Sequence, residues 1–237
     1  SVKEKLKGSG VSRKYICNTI GINPTQITIC LNHEYPTSIY VLENLQNCFS
    51  GTSLLQIVPV VSYKHRNLII PETLSSNFAQ IFGYFIGDGN FENRGLGFKD
   101  AKVEVLLTYK TFFKELFNID GAISKVKDKN CYALDVNSKE IRDLFALMLP
   151  SVLNEVGKSP VEVVGSFIKG FFDAEGHISK RRAYVSAVQK NPQILRYLQL
   201  FLLRLGIRST IKFDIGSKKM NVIRIIDKDV KKYLQIG

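Results

Sequence analysis

Apolar positions in this 237-residue chain recur with more than one period, and the changes of period mark its organisation. Between Val11 and Phe49, Ile16 and Ile20 predict a short helix that reaches Gly21, and Ile27 and Leu31 predict a second helix starting near Pro24. Helix, glycine-containing turn, helix is the pattern of a DNA-reading module, in which Thr25, Gln26, Thr28 and Asn32 would reach base edges or phosphates. Residues 51–70 read as a linker with a possible strand, β-prone from Leu54 to Val61 and then basic at Lys64, His65 and Arg66. From Pro71 the period becomes helical, with Phe78, Phe82 and Phe85 on one face and Gly83 and Gly87 on a neighbouring one. That run stops abruptly on Gly-Asp-Gly at 87–89, and a glycine closing the helix in left-handed backbone is the simplest account of such an ending.

The same ending occurs twice. Sliding the chain on itself by 87 residues lays IFGYFIGDG (81–89) over IKGFFDAEG (168–176), so that Gly83 falls on Gly170, Gly87 on Ala174, Asp88 on Glu175 and Gly89 on Gly176. Beyond these helices, residues 122–145 share a strand, turn, strand, helix texture with residues 210–234. KVEVLLTYK (102–110) parallels AYVSAVQK (183–190), each predicted as an alternating strand running into a helix that ends near Phe117 or Leu205. Each half therefore reads helix, two strands, helix, two strands, helix. The expected fold class is α+β: two pseudo-symmetric αββαββα halves (71–150 and 151–237), preceded by a small helical domain (1–50) and the linker (51–70).

Composition narrows the partners. With 33 Lys and Arg against 21 Asp and Glu the formal charge is +12, the electrostatic footprint of a protein that meets phosphates. No apolar run approaches the roughly 18 residues needed to span a bilayer. The four cysteines form no C-x-x-C pair and the three histidines lie at no zinc-ligand spacing from them, which turns attention to carboxylates and Mg²⁺. The polar, charged start carries no signal peptide, so a cytoplasmic protein is expected.

Small residues four apart let two helix backbones approach closely, so Gly83 and Gly87 are expected to nestle against Gly170 and Ala174. Parallel packing would bring Asp88 and Glu175 to one place, where two carboxylates repel unless a cation sits between them. On these two motif copies and the pattern between them, residues 71–237 resemble the LAGLIDADG homing endonucleases of the single-chain, two-motif kind found in archaeal introns and inteins. The resemblance implies that the antiparallel sheets of the two halves form a saddle over the duplex, in a monomeric enzyme that makes double-strand breaks in a long asymmetric target. It implies Asp88 and Glu175 as catalytic acids binding two or more Mg²⁺ ions, with Gly87 and Ala174 in the metal site and Ca²⁺ as a non-cleaving substitute. It also implies a glutamine at a strand end and a lysine in another strand, matched in the second half by Gln189 and Lys212. The first half departs from the pattern, with Tyr109 at the glutamine position and Ser124 at the lysine position, beside Lys125. Ile86 replaces the first acid of the motif.

Strand period aims Lys125, Lys127 and Lys129 together at a groove, and likewise Arg208, Thr210 and Lys212, with Lys180 and Arg182 as further DNA-binding candidates. Alternating charge is also what any solvated sheet shows. Two other readings compete: a catalytically silent DNA- or RNA-binding protein on the same fold, such as a splicing maturase or transcription regulator, and a repressor led by the helix-turn-helix. Retention of both acids argues against the first and the acid-bearing repeat against the second. The ends carry no recognisable splicing residues, which favours a free-standing or excised nuclease over one still lodged in a host.

Overall fold

A computed structural model describes residues 60–63, 66–179, 184–216, 219–226 and 228–236. The helix-turn-helix expected between Val11 and Phe49 lies outside the described residues, as do Lys180 and Arg182. Within the span 51–70, β1 (Val60–Tyr63) and β2 (Arg66–Ile69) pair as an antiparallel hairpin, and Leu68 and Ile70 are buried against the core.

The first half runs α1 (Ser76–Asp88), β3 (Asn90–Glu92), β4 (Gly95–Asp100), α2 (Val103–Phe117), β5 (Ala122–Lys125), β6 (Tyr132–Val136) and α3 (Lys139–Met148). A short α4 (Val152–Lys158) leads into the second half. There the order repeats as α5 (Val161–Glu175), β7 (Gly176–Ser179), β8 (Tyr184–Gln189), α6 (Pro192–Arg204), β9 (Ser209–Ile215), β10 (Met220–Ile226) and α7 (Lys228–Tyr233). The two antiparallel sheets have equivalent orders, β3-β4-β6-β5 and β7-β8-β10-β9, so each half is the αββαββα unit that the repeat predicts.

Local chemistry explains where the elements start. Ser75 accepts a hydrogen bond from the Phe78 amide to open α1, and Ser138 does the same for Ile141 in α3. Asn191 caps α6, whose first residue is Pro192, the position at which proline's missing N–H costs nothing.

One expected strand is helix instead. Residues 103–110 belong to α2 and Lys102 is its N-cap, because Leu106, Tyr109, Phe113 and Phe117 recur at three- and four-residue spacing and are all buried; that pattern outweighs the short alternation Val103-Val105. The strands that occupy this place are β3 and β4, whose Gly95 and Gly97 blank out the period-two signal. Gly95 is required there, since a Cβ would stand 1.9 Å from the Val136 carbonyl oxygen on β6.

The seam between halves is the pair α1 and α5. A Cβ at Gly83 would lie 2.1 Å from the Phe167 carbonyl oxygen, and one at Gly170 would lie 2.0 Å from that of Gln80. Backbone therefore rests on backbone at two reciprocal points. The contacts advance together along both chains (80 and 84 with 170, 83 with 167 and 171, 87 with 174), so the helices run parallel and finish side by side.

Candidate active site at the feet of the paired helices

Asp88 is the last residue of α1 and Glu175 the last of α5. Their proximity follows from the final turns: a Cβ at Gly87 would lie 2.6 Å from Ala174 Cβ and 3.1 Å from Glu175 Cγ, so a larger residue at 87 would wedge the acids apart. After each acid the chain bends at once into a strand. Gly89 and Gly176 do so with φ −81° and −77°, ordinary extended backbone and not the left-handed closure expected. Glycine is needed for space: a Cβ at 89 would sit 2.3 Å from the Phe85 ring, and one at 176 would sit 2.1 Å from the Phe172 carbonyl oxygen.

Asp88 is exposed and Glu175 half-buried. Partial burial lifts the Asp88 carboxyl above the ordinary carboxylate range; Lys99 opposes the shift and Asp100 adds to it. Burial also lifts Glu175, and the charge of Asp88 pushes it the same way. Both helices direct the negative ends of their dipoles at this point. A cation there would relieve all of these repulsions together.

The donor set suits a hard, hydrated ion. Among the described residues no three His, Cys, Asp or Glu side chains converge into a closed metal cage. One or two carboxylates with the remaining positions left to water and substrate phosphate is how Mg²⁺ is commonly held.

Gln189, at the end of β8, reaches across the seam: its Nε2 donates to the Ile86 carbonyl at 3.3 Å, and its Oε1 accepts from the Lys190 amide at 2.7 Å. Register identifies its counterpart in the first half. Gln189 closes the β8–β10 ladder opposite Asn221, as Asp100 closes the β4–β6 ladder opposite Tyr132. The equivalent residue is therefore Asp100, not Tyr109. Asp100 is fixed by the Tyr84 hydroxyl (2.9 Å) and the Lys102 amide (2.8 Å).

Tyr109 projects from α2 into the core and donates its hydroxyl to Asp173 Oδ2 at 3.0 Å, where Gln80 Nε2 also donates at 3.3 Å. Tyr109 and Gln80 are buried while Asp173 lies at the rim, so one acid of the second half satisfies two buried polar groups of the first. Ile86, the matching residue of the first half, has no polar side chain for such a link. Asp88, Lys99, Asp100, Lys102, Asp173 and His177 all border an open cleft of about 730 Å³ across the seam.

The basic candidates separate. Thr210 and Lys212 lie on β9 and share its face away from the core. Arg208 precedes β9 and donates through Nε to Asp229 Oδ2 at 2.8 Å, a bond that holds the Asp229 carboxyl below its ordinary range. Lys125 ends β5, whereas Lys127 and Lys129 fall in the exposed turn before β6, with Asp128 between them at φ 58°. The three lysines therefore do not alternate along one strand: the chain reverses before a period can be established. On the second sheet Arg224 lies over the Tyr184 ring, 4.4 Å from its centroid, a pairing that the separate strands did not reveal.

Parallel helices ending in paired acids above two antiparallel sheets define the class: the chain has the two-half LAGLIDADG fold, and residues 162–235 match the family described as LAGLIDADG-like domain. It is homologous to the homing endonuclease I-DmoI of Desulfurococcus mucosus, 27% identical over 176 residues, or 69% of this chain and 88% of that protein. A solved structure of I-DmoI in complex with DNA and Ca superposes with TM-score 0.55 at 26% identity, covering 69% of this chain and 90% of that one. Full-length DUF199/WhiA, at TM-score 0.54 and 15% identity, shares the fold.

Other curated relatives are matched over a small part of their length. The chain spans 13% of a glutamine–fructose-6-phosphate aminotransferase of Methanocaldococcus jannaschii, at 37% identity, and 17% of a component of the A-type ATP synthase of Pyrococcus abyssi, at 27%. Among the described residues no helix is long and apolar enough to cross a membrane.

Proposed function

We propose that this chain is a site-specific endonuclease that hydrolyses both strands of duplex DNA with divalent metal, Mg²⁺ in the first instance. The observation that carries the reading is the placement of Asp88 and Glu175 at the feet of two parallel helices in backbone contact. A divalent ion held there supplies charge neutralisation at the scissile phosphate and a more acidic attacking water. The chain's own part is positional. Asp88 and Glu175 hold the ion side of the site, with the residues before them, Gly87 and Ala174, setting their spacing. Gln189 orients the second half's strand end against the last turn of α1, and the sheet faces carrying Lys99, Thr210, Lys212 and Arg224 meet the phosphates. Two acid-bearing halves in one chain fit a monomer on a long asymmetric target.

The homologue I-DmoI supports this reading, since its structures are complexes with DNA and with Ca or Mn. The aminotransferase and the ATP synthase component are matched over small fractions of their length and have unrelated names, which favours a module that lodges in hosts such as inteins over a part of either activity. A binding-only reading draws on one feature: the first half has Asp100 and Ser124 where the second has Gln189 and Lys212. Incubation with a random duplex library and Mg²⁺, followed by sequencing of cut ends, tests the proposal: one recurrent site cut on both strands is expected, and recovery of bound but intact duplexes would favour the binding protein. Affinity should fall with salt at a slope of roughly −0.9 in log K per phosphate neutralised.

A further inference from the structure

The first half has a lysine in the row where the second half has one, but on a different strand. Across the second sheet the row reads Val188, Val222, Lys212 on β8, β10 and β9. Across the first sheet the equivalent row, one step in from the ladder end, reads Lys99, Ala133, Ser124 on β4, β6 and β5. Each row holds one lysine. Leu96 and Phe98 of β4 point into the core, so strand alternation sends Lys99 to the opposite face, where it is exposed. Lys125 does not fill the place of Ser124, because it is one residue on and on the other face of β5. Lys99 borders the same cleft as Asp88, and its charge is felt by that carboxylate.

We infer that Lys99 is the basic catalytic residue of the first half, doing from β4 what Lys212 does from β9 in the second half, where the first half has Ser124. The inference rests on the nuclease reading above. In the reaction, the oxygen of water bonds to phosphorus, the phosphorus–O3′ bond breaks, the water's proton passes to solvent and the departing 3′ oxygen takes one up from it. The Lys99 ammonium, on the same cleft as Asp88, stabilises the negative charge that gathers on the non-bridging and departing oxygens without giving up a proton. This is electrostatic stabilisation from a fixed strand position.

The test uses the full chain, an end-labelled duplex of the selected target with Mg²⁺, and the same duplex in Ca²⁺ for binding. Lys99→Met should slow cutting of one strand by about 100-fold and leave the other within a few-fold, so that nicked duplex accumulates. Lys99→Met combined with Ser124→Lys returns a lysine to the same row and should recover about tenfold of the loss, which a merely structural role for Lys99 would not allow. In Ca²⁺, Lys99→Met should lower the salt slope of binding by about one, the signature of a lost phosphate contact. Equal slowing of both strands, no rescue from Ser124→Lys in a protein that melts like the parent, or an unchanged salt slope would each overturn the assignment. If the parent protein binds duplex but cuts none, the nuclease reading fails, and the salt slope still decides whether Lys99 meets phosphate.

Discussion

Around α1 the core is a stack of rings: Phe78 on Phe82 at 5.0 Å, Phe82 on Phe145 at 4.4 Å, with Phe85, Phe98, Phe113 and Phe117 around them. Around α5 it is largely aliphatic, built from Val164, Ile168, Leu195, Leu198, Leu202, Ile223 and Ile225 alongside a smaller share of phenylalanine. Topology and sheet order are nonetheless the same. The two halves share the period of their apolar positions and the glycines that permit contact, while the residues that fill the core differ. The site obeys the same rule. Asp100 stands for Gln189, Lys99 for Lys212 and Ile86 for Asp173, so the row and the strand end persist while the side chains are redistributed.

At the seam both halves keep a glycine, Gly83 and Gly170, where backbone meets backbone, and breaking that contact should have the largest effect. Gly170→Ala puts a methyl carbon into a backbone carbonyl of α1, with no flexible side chain to yield. A loss on the order of 3–5 kcal/mol is expected, read as a lower melting temperature and urea midpoint. Alanine at Gly157, where the nearest atom is a Phe201 ring carbon at 3.5 Å, should be nearly neutral by comparison.

A smaller effect is expected from the link that only the second half's motif makes. Tyr109→Phe removes one donor to Asp173 Oδ2 and should cost about 1 kcal/mol in the same melts, with faster amide exchange in the last turn of α5 and little change in the last turn of α1. Equal change in both turns would remove the asymmetry.

The smallest effect concerns pH. A carboxyl whose folded-state pKa is raised keeps its proton in the folded chain to a higher pH than in the unfolded one, so stability falls as pH rises through the carboxylate range. Glu175→Gln should therefore raise the melting temperature of the metal-free protein near neutral pH. The difference should vanish below the ordinary carboxylate range, where the parent residue is protonated in both states. Melts on either side of that range check the sign.

Much of this was legible in the sequence for a physical reason. The motif helices combine aromatic rings at helical spacing with small residues that recur 87 positions later, and both signals survive without tertiary context. The β9–β10 hairpin was legible because seven-residue strands have room to show their alternation. The β3–β4 hairpin was not: β3 is three residues long and β4 has two glycines, so neither presents a face. Missing that strand displaced every residue assigned from it, which put Tyr109 in the place of Asp100 and passed over Lys99. The lysines at 125, 127 and 129 misled for the converse reason, an alternation in sequence that continues through a turn.

On the nuclease reading each half ends its helix in one acid and carries its own sheet, so each helix foot is expected to serve one strand of the duplex. Strand-resolved cleavage of the selected target by Asp88→Asn and by Glu175→Gln tests it most directly, with Ca²⁺-supported binding as the control for folding. The expected result is that each variant binds like the parent and nicks, the two variants leaving opposite strands intact. Two variants that both cut both strands at the parent's rate would contradict it.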